Sequence, residues 1–273
     1  MDYLERQQAR EQEVARHNDL IQKTRHQLTL QEQKILHFLI SKIKPDDTKF
    51  EEHTVRISDF CQLCGIHDEG GENHQHLKDT IRALASKNAW IPIEEGSRRK
   101  MLWQWVGKSV IDEQQGTFTI KLHECLDPYL FNLIRDKETG KVSGNYTKYE
   151  LKYNLAMRSR YSARLYEILK SHLFKGMPVT YPLGELRQLL DAENHKLFAN
   201  FKQHVLDPAK AELAEITDME FDYEPIKTGR KVTAVKFHLM QKNTGGRLDA
   251  WAAIEKRLER KKKPGKAKPG TGQ

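Results

Sequence analysis

The stretch Tyr223–Leu239, YEPIKTGRKVTAVKFHL, consists of two runs of alternating apolar and polar residues around a short turn. This pattern is typical of a β-hairpin. Three cations, Lys227, Arg230 and Lys231, gather at the tip of the hairpin, where like charges repel one another. Such a tip is either a solvated loop or a surface that binds a polyanion, and the rest of the chain has to decide between the two.

The hairpin is preceded by three helical segments and one strand. An amphipathic helix, SRYSARLYEILKSHLFKG (159–176), is followed by the strand MPVTY (177–181) and the short helix PLGELRQLLDA (182–192). A longer helix is predicted from about Lys196 to Glu215, with a bend at Pro208. Its apolar spacing predicts five buried side chains: Leu197, Phe198, Phe201, Val205 and Leu213.

The first half of the chain repeats the same order of elements. Thr29 and Glu32 have the spacing of a capping box, which predicts the start of the helix LTLQEQKILHFLISKI (28–43). A strand, HTVRI (53–57), a short helix, DFCQLCGI (59–66), and a helix from about His74 to Ser86 follow. Three strand-like pieces come next: AWIPIEE (89–95), KMLWQWVGKSVID (100–112) and GTFTIKLH (116–123). The basic GSRRK (96–100) forms the tip between the first two.

Helix, strand, short helix, longer helix and hairpin is the order of a winged helix-turn-helix. In that fold the third helix enters the major groove and the hairpin, the wing, lies along the phosphates. We therefore expect an α+β protein of two tandem winged helix-turn-helix domains with a basic, partly disordered C-terminal tail. The expected divisions are a polar N-terminal extension (1–23), a first domain (24–140), a second domain (141–240) and the tail (241–273).

The distribution of charge points to the second half as the binding surface. The net charge is +8 and the sequence pI is about 9.2. Lys and Arg outnumber Asp and Glu by 4 in residues 141–240 and by 7 in the tail, whereas residues 1–140 have a net charge of −3. A surplus of this kind suggests a polyanionic partner such as nucleic acid.

Other bulk features predict a cytoplasmic protein without a membrane span. The N-terminus, MDYLERQQAREQEVARHNDL, lacks the apolar core of a signal peptide, and the sequence has no run of about 18 apolar residues. Its first 20 residues predict a polar, fraying helix. The three cysteines, Cys61, Cys64 and Cys125, are too few for a disulfide framework, which fits a reducing compartment.

Taken together, both halves resemble the plasmid replication initiators of the Rep_3 type, the RepA/RepE/Pi-like iteron-binding proteins. The segments that carry the resemblance are NDLIQKTRHQLTLQEQKILHFLISKIKPDD, ISDFCQLCGI, HLKDTIRALASKNAWI, RYSARLYEILKSH, FANFKQHVLDPAKAELAEIT and YEPIKTGRKVTAVKFHL. In their order they cover about residues 18–240.

The resemblance implies a DNA-binding protein without enzymatic activity. Such proteins bind repeated origin sites, called iterons, as monomers, help to melt the adjacent duplex and recruit host replication proteins. Their dimers commonly repress their own promoter, with the first domain providing most of the dimer contact. We accordingly expect double-stranded DNA, a homodimer in equilibrium with a monomer, and host replication proteins as partners. The base-reading segment of the family matches NFKQH (200–204), where family members often carry more arginine.

These considerations predict three groups of DNA-contacting residues. The base-reading group lies on the longer helix of the second domain: Asn200, Lys202, Gln203 and His204. The phosphate-binding group comprises a helix-start residue, the wing of the second domain and the tip of the first hairpin: Lys196, Lys227, Arg230, Lys231, Arg98, Arg99 and Lys100. A secondary group lies on the corresponding helix of the first domain: His74, Gln75, Lys78 and Arg82. The acidic surroundings of this last group leave a solvated surface open as its alternative.

Other activities find less support in the sequence, and we expect no metal and no cofactor. Cys61 and Cys64 lie near several histidines, but a second paired ligand motif is lacking, which favours buried thiols over a zinc site. Tyr166 with the HQH run at 74–76 would suggest a rolling-circle nickase, although Gln replaces the usual bulky apolar residue between the histidines. VGKS (106–109) lacks the earlier glycine of a phosphate-binding loop. A purely transcriptional repressor stays open as the alternative within the DNA-binding class.

Overall fold

The computed structural model describes residues 1–25, 27–44, 47–66, 71–92, 98–131, 133, 145–174 and 176–259. Its helices are α1 (Tyr3–Glu11), α2 (Asn18–Lys23), α3 (Leu30–Ile40), α4 (Ile57–Leu63), α5 (Glu72–Ser86), α6 (Asp127–Leu130), α7 (Leu151–Ala156), α8 (Arg160–Leu173), α9 (Leu183–Leu189), α10 (Phe198–Phe201), α11 (Asp207–Ile216) and α12 (Thr244–Leu258). Its strands are β1 (Glu13–His17), β2 (His53–Arg56), β3 (Asn88–Pro92), β4 (Lys100–Gln104), β5 (Val106–Asp112), β6 (Thr117–Leu122), β7 (Tyr146–Glu150), β8 (Val179–Pro182), β9 (Met219–Thr228) and β10 (Lys231–Gln241). None of the helices in these ranges is both long enough and apolar enough to span a membrane.

The second half folds as the expected winged helix-turn-helix. Its three-stranded antiparallel sheet has the order β8-β10-β9, and α8, α9 and α11 pack against it. Phe221, Val235 and Phe237 are buried between sheet and helices, because alternate residues of a strand share one face. The two long strands β9 and β10 extend beyond this core as an exposed hairpin, which we call the wing.

The first half has the same elements with one additional strand pairing. Thr29 and Glu32 form the predicted capping box at the start of α3. Strand β2 leads into α4, and β2, β6 and β5 form a sheet in that order. The piece that was predicted as one strand, 100–112, divides at Trp105 into β4 and β5. Trp105 is buried, so the chain turns inward there, and β3 and β4 form a separate two-stranded hairpin, which we call the first hairpin. The strands that correspond in sheet order to β9 and β10 are β5 and β6.

The N-terminal segment is ordered, and the prediction of a polar, fraying helix over its first 20 residues was wrong. Strand β1 interrupts the helical structure between α1 and α2, and it pairs antiparallel with β7 from Glu13↔Glu150 to His17↔Tyr146. Val14 is fully buried in this pairing. Because the partner strand lies more than 100 residues further on, no local pattern in the sequence could show this pairing.

A buried charged cluster joins the two halves next to the β1–β7 pair. Glu167 of α8 accepts hydrogen bonds from Arg16 of β1 and, at 2.6 Å, from the hydroxyl of Tyr149 of β7. The Nε2 atom of His37, on α3, lies 3.0 Å from the same carboxylate. Arg164 lies 3.6 Å from it and also donates to the carbonyl oxygens of Ile21 and Thr24, at 2.6 and 2.7 Å. Elements of both halves therefore share one carboxylate.

The C-terminal helix α12 forms a second connection between the halves. Arg257 donates to the carboxylates of Glu212 and Glu215 on α11, at 2.7 and 2.6 Å. On the opposite side of α12, Glu259, its C-cap residue, pairs at 2.7 Å with Arg10, a fully buried residue of α1. The tail (241–273) was expected to be partly disordered, and these contacts place Arg257 in its helical part. Residues 260–273 of the tail lie outside the described residues.

Gly65, in the turn after α4, is a point of close approach between the first domain and α12. Its φ is +67°, and a Cβ atom there would lie 2.7 Å from the carbonyl oxygen of Leu258. Both the backbone conformation and the proximity of α12 therefore require glycine at this position.

Replacing Gly65 by alanine is expected to reduce the free energy of unfolding by about 1–3 kcal/mol more than replacing Gly71 by alanine. Gly71 is a matched control, because its φ is +76° and nothing lies within 4 Å of a Cβ atom built on it. Urea denaturation of the two variants measures the difference. Equal losses would contradict the docking of α12 against this turn.

Candidate nucleic-acid interface

The longer helix of the second domain, which we call the recognition helix (198–216), contains a π-helical turn in its middle. Residues Lys202–Leu206 form this turn between α10 and α11. Pro208 lies two residues after this turn, and since proline has no N–H group it cannot donate to the carbonyl of His204. The backbone N–H of Asp207, the residue before it, donates to the carbonyl of Lys202, five residues back, as in a π-helix. The predicted bend at Pro208 thus corresponds to a local change in helical hydrogen bonding.

The candidate base-reading residues lie on the outer face of this helix. Phe201 and Val205 are fully buried and anchor the helix to the core. Asn200, Lys202 and Gln203 are exposed, as is His204. The side chains of Asn200 and Gln203 have no hydrogen-bond partner within the described ranges, so their amide groups can pair with a base edge.

Lys202 is held by Asp207 in a way that the sequence did not indicate. The Nζ atom of Lys202 lies 2.6 Å from Oδ2 of Asp207, and Oδ1 accepts a hydrogen bond from the hydroxyl of Tyr223 on β9. These two hydrogen bonds hold the pKa of Asp207 below its ordinary value. Residues i and i+5 are not neighbours on a regular α-helix, and the π turn brings this pair together. The Lys202 ammonium is therefore oriented before any DNA arrives.

The start of the recognition helix contradicts one sequence prediction. Leu197, expected in the core, is 66% exposed at the N-cap position of α10. Arg187 of α9 fixes the preceding backbone by donating to the carbonyl of Lys196 at 3.0 Å, and its guanidinium lies 5.5 Å from the ring centre of Phe201. The ring of His204 stacks on that of His195 at 5.7 Å. The Lys196 side chain itself is exposed, as a phosphate contact requires.

The tip of the wing presents its three cations to solvent. A two-residue turn joins β9 and β10, and Gly229 has a φ of +61°, the conformation that glycine favours in tight hairpin turns. Lys227, Arg230 and Lys231 are exposed and form no ion pair with any residue that the structure describes. Within the described residues no ion pair offsets the repulsion between them, so the tip is suited to binding a polyanion.

The corresponding surface of the first domain is largely neutralised by its own carboxylates. Arg82 pairs with Asp79 at 2.8 Å and with Glu113 at 3.3 Å, and Lys78 lies 3.7 Å from Glu113. Gln75 donates to Asp79 at 3.1 Å. His74 is half-buried at the start of α5. These contacts favour the alternative of a solvated surface for this group.

The first hairpin is only partly described. Arg98 and Arg99 are exposed, whereas residues 93–97 and the side chain of Lys100 lie outside the described part of the structure. The candidate zinc site is likewise incomplete, since His67 lies outside it. Cys61 and Cys64 are both buried, and burial raises the pKa of the Cys64 thiol to about 11, which favours a protonated thiol over a metal-binding thiolate.

Tyr166, the candidate nucleophile of a nickase, is fully buried on α8. Its hydroxyl donates to Asp218 at 3.0 Å, and the same carboxylate pairs with Lys170. Burial raises the pKa of Tyr166 well above its ordinary value. A buried phenol in a packed helix cannot reach a DNA phosphate, so the geometry gives the nickase alternative no support.

Two winged helix-turn-helix domains in tandem, the second with an open cationic wing beside an exposed polar helix, define a nucleic-acid-binding class of protein. Comparison with protein families identifies the chain further. Residues 13–170 match the family Rep3_N, described as Initiator Replication protein, WH1, and residues 182–239 match Rep3_C, described as Initiator Rep protein, WH2. The chain belongs to this family of initiator replication proteins.

Individual relatives are more distant. The PI protein of Escherichia coli is 26% identical over 152 residues, which is 50% of this chain and 47% of that protein. The match thus spans about half the length of this curated relative. The crystal structure of the Pi initiator protein in complex with iteron DNA covers 85% of this chain and 98% of its own, with a TM-score of 0.69 and 19% identity. At that identity the likeness is one of fold.

Proposed function

We propose that this protein is a plasmid replication initiator that binds repeated sites, the iterons, in double-stranded origin DNA and promotes opening of the origin. Membership of the initiator family supports this function, as does the shared fold with the Pi initiator, whose structure contains iteron DNA. The protein acts by binding rather than by catalysis. Its second domain inserts the recognition helix into the major groove and lays the wing along the backbone.

One observation carries the proposal: Lys196 and the wing cations of the second domain are available to DNA, whereas the cations of α5 in the first domain are not. Lys196, Lys227, Arg230 and Lys231 are exposed and without ion pairs among the described residues. By contrast, the cations of α5 are shared with Asp79 and Glu113. Phosphates that approach these four cations displace only water and counterions, which favours binding there.

The first domain has a different role in this proposal. We assign it most of the contact in a homodimer that exists in equilibrium with the DNA-binding monomer and that represses the protein's own gene. Because its α5 surface is neutralised by Asp79 and Glu113, any part of this domain in DNA binding is secondary. Host replication proteins are the remaining proposed partners.

Footprinting on the DNA that flanks the gene for this protein tests the function directly. Repeated protected sites one or two helical turns apart are expected. Opening of a supercoiled plasmid that carries those sites, measured by the reactivity of unpaired thymines with permanganate, then separates the initiator from the repressor. Protection of a single operator without any opening would favour a purely transcriptional repressor.

Gln203→Ala is expected to weaken specific binding by about 1–3 kcal/mol and to leave binding to unrelated DNA unchanged, because a lost base contact affects only the cognate sequence. Gln115→Ala is the matched control, since Gln115 is an exposed glutamine in the β5–β6 turn. Fluorescence anisotropy with cognate and scrambled duplexes measures both affinities. Equal weakening on both duplexes would contradict a base-reading role for Gln203.

A further inference from the structure

Leu197 is an exposed apolar side chain at the start of a polar helix. With 66% of its surface accessible, it is among the most exposed large apolar residues of the described chain. Its neighbours on this surface are exposed and polar, namely Lys196 before it and Asn200 one turn later. The periodicity of the sequence would place it in the core, so its exposure results from the tertiary structure.

Local stability does not account for leucine at this position. Leu197 is the N-cap residue of α10, and no side-chain hydrogen bond caps this end of the helix. Ser, Thr, Asp or Asn would stabilise the helix more at an N-cap, because their oxygens accept from the first backbone N–H groups. Leucine provides neither this bond nor buried apolar area. The position therefore calls for another explanation.

The backbone around Leu197 is held firmly, so its side chain has a fixed starting point. Arg187 anchors the carbonyl of Lys196, and the carbonyl of Leu197 accepts from the N–H of Phe201 at 3.1 Å. Phe201 is fully buried. A rigidly placed aliphatic group loses little conformational freedom when it contacts a partner.

We infer that Leu197 contacts the C5-methyl group of a thymine in the major groove and makes binding selective for thymine at that position. This inference rests on the proposed function. The N-terminal residues of a recognition helix lie closest to the base edges, and the thymine methyl is the one apolar group that the major groove displays. An aliphatic side chain beside amide and ammonium groups can therefore distinguish thymine from cytosine, which has no methyl group there.

The test is a double-mutant cycle between the protein and the DNA methyl group. Each thymine of the footprinted site is replaced in turn by deoxyuridine, which removes only the methyl group. The wild-type protein is expected to lose about 4-fold in affinity at one position, as for one buried methyl group. Leu197→Ala should bind the unmodified site about as weakly as the wild type binds the site with deoxyuridine. The same replacement should lower the affinity of this variant by less than 2-fold.

Leu248→Ala is the matched control, because Leu248 is 56% exposed on α12, outside the recognition helix. It should retain the full 4-fold response to deoxyuridine. The inference is overturned if no single replacement affects the wild type, or if Leu197→Ala responds as strongly as the wild type. A wild-type protein that protects no specific site would instead refute the proposed function, on which this inference depends.

Discussion

Replacing Glu167 by alanine is expected to lower the free energy of unfolding by about 3–5 kcal/mol, because it leaves buried positive charges without a counter-charge. Arg16 is fully buried and Arg164 is 2% exposed, and both lie next to the Glu167 carboxylate. Neither guanidinium can turn to solvent without breaking the β1–β7 pair or the contacts of α8. Urea unfolding followed by circular dichroism measures the loss.

Glu13→Gln is the matched control for this experiment. Glu13 lies on β1 near the same cluster, and its pair with Lys148 is solvent-exposed, at 57% and 49%. Exposed pairs contribute about 0–1 kcal/mol, so this variant should be nearly as stable as the wild type. Similar losses in the two variants would show that the buried cluster does not join the two halves as described.

The dependence of stability on pH provides a second measurement on the same residue. Burial alone would raise the pKa of Glu167, but Arg16, His37 and Arg164 together hold it well below its ordinary value of 4.5. The unfolded chain therefore binds a proton at this group before the folded chain does as the pH falls. The stabilisation by Glu167 is present above pH 4.5 and is lost progressively below it. Glu167→Ala should show a correspondingly weaker loss of stability in acid.

Replacing Lys227, Arg230 and Lys231 together by alanine is expected to flatten the dependence of DNA affinity on salt. Each neutralised phosphate contributes a slope of about −0.9 in log K against log salt, so the slope should decrease in magnitude by about 2.7. At about 0.1 M monovalent salt this corresponds to a loss of about 10²–10³-fold in affinity. Titrations at several salt concentrations, with cognate and unrelated DNA, measure the slope.

A second triple variant with the same loss of charge is the control for the wing. Lys49, Lys108 and Lys148 are exposed lysines that pair with Glu51, Glu52 and Glu13. Their replacement by alanine removes the same formal charge but should leave the slope nearly unchanged. A slope that is unaffected by the wing variant, or equally affected by both, would remove the wing from the interface.

Elements with a local signature were predictable from the sequence. One example is the capping box of Thr29 and Glu32, and another is the order of strand, short helix and longer helix in each half. Both depend on residues within one or two turns of each other. The cationic hairpin around Gly229 is of the same kind. These features were enough to predict the winged-helix fold and the outer face of the recognition helix, which is exposed in the structure.

Features that depend on distant partners were missed or misassigned. Strand β1 is short and polar in pattern and becomes a strand only because β7 pairs with it. Arg10 looks like a surface residue, yet it is buried because α12 covers it from the other end of the chain. The exposure of Leu197 follows from the way Arg187 and Phe201 anchor the start of the recognition helix.

The sequence by itself determined the helices and strands of the two winged-helix units, where the basic hairpin lies and which family the chain resembles, because hydrophobic period, capping and turn chemistry are local. Only the tertiary structure decided which charged side chains are available to bind DNA. It pairs Arg82 with Glu113, orients Lys202 on Asp207 and leaves the wing cations open. Availability depends on distances between residues that are remote in the chain or brought together by an irregular helical turn, and no local pattern records those distances.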